Sequence, residues 1–335
     1  MSVIYVREQG AYIKKIDKRI VIEKGGKILA DIPLRSVTNL SVIGNVQVTT
    51  QVLQLMMQEG IDVSFFTYSG KHIGQIAAES SKNIFLRFSQ YKRYENIDDR
   101  LKIARVIVAN KIQNQIAVLS EFNWKGIEHD YHAETGQLKK QLTALESAST
   151  ANEVMGVEGI CSAIYFTGFS FMFKCKFRFE KRTRRPPKDP INIILSLAYT
   201  LLTKEVAAAL EAESFETYLG FLHGIRYGRK SLSLDIVEEF RQPVVDRLIV
   251  ILFNKNMLGE FDFEQREEEI ALTEDGFRKF CVEYEKWMKK PVDKVESRSF
   301  RTIIRDQVSE LKRAIRNNEM YKPYEWRCQH VSDQL

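Results

Sequence analysis

Cysteine is scarce in this chain, and its four copies, Cys161, Cys175, Cys281 and Cys328, include no CxxC pair. That spacing argues against a disulfide framework and a structural zinc site, and it fits reduced thiols in the cytoplasm. No basic stretch followed by an apolar core stands between Met1 and Arg7, so no secretory signal is expected. Residues 159–173 are uncharged but fall short of the ~20 residues a bilayer span needs. Gly159, Ser162, Thr167, Gly168 and Ser170 mark that run as a buried helix of a soluble domain, with no membrane partner. No internal repeat or low-complexity tract is present. A large charge imbalance is missing as well. Fifty Lys and Arg against forty-four acids leave only +6, so a nucleic-acid partner has to be argued from where the basic residues sit.

What is present is a 335-residue chain, 44% hydrophobic and 28% charged, enough for two domains with ordinary cores. Short Val- and Ile-rich runs at 3–6, 11–16, 19–22, 27–32 and 37–42 read as strands. Gly25–Gly26 supplies the positive φ of a hairpin turn between two of them. A helix is predicted over 50–59, closed by Gly60, and further strands over 61–66 and 73–77. From about Phe85 the apolar spacing is helical, with segments at 98–122, 135–149, 152–173, 192–213, 233–254, 273–289 and 297–318. Asp189–Pro190 opens one of these as N-cap and first-turn proline. The expectation is an α+β protein: a small N-terminal β-rich domain over 1–85 and a larger all-α-helical catalytic domain over 86–335.

Several titratable residues have unusual settings. Val154, Val157, Cys161, Ile164 and Tyr165 make an apolar helical stripe, and Glu158 falls inside it. Such a carboxylate either reaches solvent at the stripe's edge or is buried against a cation or a metal. Gly156 and Gly159 flank it and leave room for another backbone. His223 ends an apolar run bracketed by Gly220 and Gly224, which suits an imidazole held on a tight loop. Taken singly, a histidine is more often a core or surface residue than a ligand. With carboxylates it makes the mixed N/O site that suits Mn2+. His129 and His132 lie in a polar segment and are expected in solvent. Asp235 stands three residues before Glu238 and four before Glu239, so the spacing predicts one shared acidic helix face. A divalent cation would relieve the repulsion there; equally, acids in a first turn favour the helix dipole.

The basic residues cluster. Residues 174–188 hold Lys174, Lys176, Arg178, Lys181, Arg182, Arg184, Arg185 and Lys188 against Glu180 alone, a net +7 that exceeds the whole chain's. Phe173, Phe177 and Phe179 interleave them. Arginine forks on phosphate give affinity without sequence readout. Arg226, Arg229 and Lys230 make a second cluster, and Lys294, Arg298, Arg301 and Arg305 a third at helical spacing.

Met155–Gly156–Val157–Glu158–Gly159, the Arg184–Arg185–Pro186–Pro187–Lys188–Asp189–Pro190 run, Gly220–Phe221–Leu222–His223 and the motif from Ser231 to Arg241 occur in this order over nearly the whole chain. Together they resemble CRISPR-associated protein one, the universal adaptation integrase, and the compact form resembles the type I-C version. The resemblance implies Mg2+ or Mn2+ held by Glu158, His223 and Glu238, with Asp235 sharing the catalytic site. Many members carry aspartate where Glu238 stands, a departure that leaves the sharing with Asp235 open. The resemblance also implies a homodimer that joins CRISPR-associated protein two. The expected substrate is double-stranded DNA, spacer and CRISPR repeat, held by Arg178, Arg182, Arg184, Arg185, Lys188, Arg226, Arg229 and Lys230. The implied reaction is attack of a spacer 3′-hydroxyl on a repeat phosphodiester, with nuclease action on branched DNA. Two other readings of the residues are a non-catalytic architectural DNA-binding protein and an RNA-processing nuclease.

Overall fold

The computed structural model describes residues 2–76, 83–122, 129–184, 186–266, 269–292 and 297–326. The chain divides into two compact units, Met1–Ser80 with Thr273–Lys286, and Ser81–Leu272 with Trp287–Leu335.

The first unit is built on two four-stranded sheets. In one, β1 (Ser2–Val6), β5 (Val37–Ile43) and β7 (Asp62–Phe66) are parallel, and β8 (His72–Ile76) closes the edge antiparallel. In the other the order is β4 (Lys27–Pro33), β3 (Arg19–Lys24), β2 (Tyr12–Ile16) and the short β6 (Gln47–Val48). Gly25 and Gly26 join β3 to β4 at φ +56° and +80°, the left-handed pair a two-residue hairpin needs. Helix α1 (Thr50–Gln58) turns Val52, Leu55 and Met56 into a core shared with Ile13, Ile20, Leu40 and Val63. Residues 273–286 join this unit from far along the chain. The Arg7 guanidinium donates to the Thr273 carbonyl at 3.1 Å and lies over the rings of Tyr68 and Phe277. Nothing in the local periodicity of 273–286 signals that excursion.

The second unit is helical apart from one hairpin. Its helices are α2 (Ile84–Glu95), α3 (Ile97–Glu121), α4 (His132–Ser147), α5 (Ala151–Ser170), α6 (Pro190–Ala212), α7 (Ser231–Val237), α8 (Arg247–Asn254) and α10 (Phe300–Asn317), with the end of α9 (Glu274–Lys289). The hairpin is β9 (Phe263–Arg266) with β10 (Glu269–Leu272). Five of these helices, α2, α3, α5, α6 and α10, begin where a side chain takes a free amide. Asn96 accepts from Asp99, Thr150 from Glu153, and Asp189 from Asn192 with Pro190 in the first turn. Helix α6 is the one described helix long and apolar enough to cross a membrane; half of its most apolar stretch is buried within the protein.

Two expectations change here. The single helix predicted over 233–254 is broken into α7, a three-residue turn, a π-helical turn at Arg241–Asp246, and α8. Pro243 is the local cause, since it has no N–H to give to the carbonyl of Glu239. Asn114 takes that carbonyl instead, its Nδ2 donating at 2.9 Å. His129, expected in solvent, stacks on Phe171 at 3.9 Å and bonds Glu134 at 2.8 Å.

Candidate active site

Helix α3 carries a buried polar line, Asn110, Lys111, Asn114 and Gln115, among apolar neighbours such as Ile107, Val108 and Ile112. Lys111 reaches between two carboxylates from other elements. Its ammonium pairs with Glu158 Oε1 of α5 and lies 2.7 Å from Glu238 Oε2, just past α7, with only 3% of its side chain exposed. Ser162, one turn beyond Glu158, donates to Glu158 Oε1 at 2.8 Å. Arg241 Nε stands 3.2 Å from Glu238 Oε1, and its guanidinium lies over the Tyr199 ring. Burial pushes the Glu158 carboxyl up, but the Lys111 charge, with hydrogen bonds from Lys111 and Ser162, holds it below the usual range. Burial acts on Glu238 too, and is outweighed by Arg241 and then Lys111, so that its pKa falls to about 2. Both glutamates therefore stay ionised in the folded protein.

His223 is fixed from below. Asp235 Oδ1 accepts from the His223 backbone at 2.9 Å and contacts its ring Nδ1 at 2.8 Å, while Oδ2 accepts from the amides of Phe221 and Leu222. Gly220 makes this possible, because a Cβ there would meet the Ser231 carbonyl carbon at 2.7 Å and Asp235 Oδ2 at 2.8 Å. Nδ1–H donating to Asp235 leaves Nε2 as the lone-pair nitrogen. Burial lowers the His223 pKa, but its bond to Asp235 and the charges of Asp235 and Glu238 outweigh that and raise it.

The three acids have different partners, although Asp235 and Glu238 both act on the His223 imidazole. Asp235 turns to the His223 loop, Glu238 to Lys111 and Arg241, and Glu239 to the C-terminal segment. Past Val237 the chain continues in i→i+3 turns, with the Glu238 amide donating to the Asp235 carbonyl, Glu239 to Ile236 and Phe240 to Val237. Glu239 is fully buried, accepting from Tyr321 Oη at 2.6 Å and the Tyr324 amide at 3.0 Å. Burial pushes its carboxyl up to about 8. Gly156 and Gly159 are not packing notches either, since nothing stands within 4 Å of either would-be Cβ.

Two carboxylates and an imidazole are the donor types that suit Mg2+ and Mn2+. A cation, the Lys111 ammonium, already sits between the two carboxylates, so the cradle accepts positive charge. Among the described residues, however, no three acid, His or Cys side chains converge as a closed ligand set. Glu158 and Glu238 suit a divalent ion in charge and donor type, and Lys111 fills the place between them. Lys111, Arg241 and Ser162 were missed from the sequence. Lys111 carried the same signal as Glu158, a charge inside an apolar helical stripe, four residues after Ile107 and three after Val108.

The basic segment 174–188 sorts by alternation. Lys174, Lys176, Arg178, Lys181, Arg184 and Lys188 are exposed, whereas Phe173, Cys175, Phe177 and Phe179 turn inward. The phenylalanines lock into a ring cluster with Phe166, Phe169, Phe253 and Phe263, which fixes the basic stripe outward. Arg182, expected on phosphate, is spent inside the protein: its guanidinium donates to Asn192 Oδ1 at 2.8 Å and Ser196 Oγ at 3.0 Å. Arg185 lies outside the described residues. A cavity of about 470 Å3 lies between this loop and α5, lined by Ser162, Phe166, Lys181, Arg182 and Arg184, and Ser162 on its wall bonds Glu158. Of the second cluster, Arg229 bonds the Gly224 carbonyl and Ser231, and Lys230 pairs with Glu211 at 2.5 Å. Arg226 is exposed between Ile225 and Tyr227. In the third, Arg298 and Arg301 pair with Asp306 and Glu205, and Lys294 lies outside the described residues.

The fold and site define an α+β protein whose helical unit holds a Glu158–Lys111–Glu238 cluster, an imidazole fixed by Asp235, and a basic loop. The chain belongs to the family described as CRISPR associated protein Cas1, which it matches over residues 4–286. It is 33% identical to CRISPR-associated endonuclease Cas1 3 of Thermus thermophilus, over 85% of this chain and 84% of that one. It is 32% identical to CRISPR-associated endonuclease Cas1 1 of Thermodesulfovibrio yellowstonii, over 94% and 97%. The solved structure of a CAS1 protein from Thermotoga maritima superposes with TM-score 0.83 at 28% identity, covering 97% of this chain and all of that one. A casposase bound to integration product shares the fold, with TM-score 0.86 at 22% identity, over 99% and 96% of the two chains.

Proposed function

We propose that this protein is a metal-dependent DNA endonuclease and integrase of CRISPR adaptation, working in the cytoplasm as a homodimer with CRISPR-associated protein two. The compact form is the basis for placing it with type I-C systems. Family membership and relatives named as endonucleases support the activity. The observation that carries the site is the convergence of Glu158 and Glu238 on one buried cation. His223, held by Asp235, feels the Glu238 charge.

In this reading Glu158, Glu238 and His223 Nε2 would hold Mg2+ or Mn2+. The ion, when bound, would supply Lewis-acid polarisation of the phosphate and stabilise charge on the leaving oxygen. The protein's own groups do the rest. Arg241 keeps Glu238 ionised, Ser162 donates to Glu158, Asp235 sets the imidazole, and the exposed basic side chains from Lys174 to Lys188, with Arg226, grip the DNA backbone. The attacking group is the spacer 3′-hydroxyl, or water in plain cleavage, so no Ser, Tyr or Cys nucleophile is needed.

Glu158→Gln, His223→Ala and Glu238→Gln should each abolish strand transfer in Mg2+ or Mn2+ while DNA binding survives. Full transfer by all three overturns the site. The charge-balanced state of the acid pair favours a second reading, a non-catalytic architectural protein, whose DNA binding would be indifferent to EDTA and which would transfer no strand under any metal. Parallel DNA and RNA substrates separate an RNA-processing nuclease from both.

A further inference from the structure

We propose that Lys111 is a positioning residue that stands in for the divalent ion: its ammonium holds Glu158 and Glu238 together in the metal-free protein and must leave that position for the ion to bind. The inference rests on the metal-binding reading above and adds what controls loading.

The charges in direct contact cancel. Glu158 and Glu238 face Lys111 and Arg241, and all but Glu158 are largely shut off from water. A divalent ion added to this neutral group would bring two uncompensated positive charges into a largely buried site, a cost that the departure of one cation lowers. Arg241 is a poor candidate to leave. It lies in the π-helical turn, over the Tyr199 ring, and Tyr199 is itself bonded to buried Asp246. Lys111 differs. Its ion pairs and hydrogen bonds among the described residues are with the two glutamates alone, and a point charge on a four-carbon stem can swing where a stacked guanidinium cannot. Its seat, bridging one oxygen of each carboxylate, is a place a shared metal would need. The same contacts explain why two acids from separate elements remain together without the ion.

The test is Mn2+ binding to the full chain without DNA, read by calorimetry and by the loss of the free-Mn2+ resonance signal, with melting curves alongside. Lys111→Met should bind Mn2+ about tenfold more tightly than the wild type or better, because one neighbouring positive charge is gone. Its metal-free melting temperature should fall, and Mn2+ should raise it more than it raises the wild type's. Lys111→Met combined with Glu158→Gln should lose the gain. Unchanged or weaker Mn2+ binding by folded Lys111→Met overturns the inference. Where Lys111→Met fails to fold alone, recovery of its circular dichroism with Mn2+ but not with matched NaCl supports the inference, and no recovery overturns it. Wild-type Mn2+ binding that Glu158→Gln and Glu238→Gln leave intact overturns the metal-binding reading, and this inference with it. Binding that depends on both glutamates but ignores Lys111→Met overturns this inference alone.

Discussion

Asp235 supports His223 through both backbone and ring, at 2.9 Å to the amide and 2.8 Å to Nδ1, from a carboxylate with no solvent exposure. The same carboxylate takes the Phe221 and Leu222 amides, so it builds the loop as well as the tautomer. Asp235→Asn keeps the volume but offers one acceptor oxygen and places an NH2 against donors. The expected outcome is a loss of about 2–4 kcal/mol in stability, since unsatisfied buried donors cost about 1–3 kcal/mol each. The His223 pKa should fall, and strand transfer should drop about 10–100-fold, the usual effect of losing a ligand's supporting bond. Urea melts, imidazole NMR titration and transfer assays read the three separately.

Gly220 tests the same support from the other side. Gly220→Ala places a methyl 2.7–2.8 Å from Ser231 and Asp235, inside contact distance of atoms that cannot retreat cheaply. A destabilisation of about 1–3 kcal/mol is expected from overpacking, together with reduced transfer. Thermal melting with and without Mn2+ checks it, and Gly156→Ala, inside helix α5 with open space around it, should instead stabilise by about 0.5–1 kcal/mol.

The basic loop separates DNA contacts from internal ones. Arg178→Ala and Arg184→Ala, both exposed, should weaken DNA binding about equally for all sequences and each lower the salt slope by about 1. Arg182→Ala should instead lower the melting temperature, because Asn192 and Ser196 lose their donor. Fluorescence anisotropy across a salt series, with melting curves, distinguishes the two classes.

Glu239 predicts a pH dependence of stability. Its folded pKa of about 8 lies above the ordinary 4.5, so the protonated form is favoured on folding. The stability this contributes is whole below about pH 4.5 and is lost as pH rises through about 8, at up to about 1.4 kcal/mol per unit. Glu239→Gln should flatten that decline between pH 5 and 8. Urea denaturation of both proteins at pH 5, 6.5 and 8 measures it, and parallel slopes contradict the assignment.

Much of the architecture was legible from side-chain spacing. The Gly25–Gly26 hairpin, the Asp189–Pro190 helix start and the change from strands to helices near residue 85 all follow from local chemistry, and each stands in the fold. Glu158 was legible as an anomaly for the same reason, a charge on an apolar stripe. Pro243 also announced the break in the predicted 233–254 helix, although the apolar periodicity around it masked the signal.

Local sequence thus determined which segments form strands or helices and which faces seek burial, because backbone preference and hydrophobic period act over neighbouring residues. Only the tertiary structure decided what each buried charge meets. Lys111 lies far from Glu158 and Glu238 along the chain, Asp235 binds the His223 loop while Glu238 meets Lys111 and Arg241, and Arg182 is consumed by α6 while Lys181 and Arg184 stay exposed. Periodicity reports that a side chain is buried; the partner that makes the burial affordable comes from another element, set by how the helices pack.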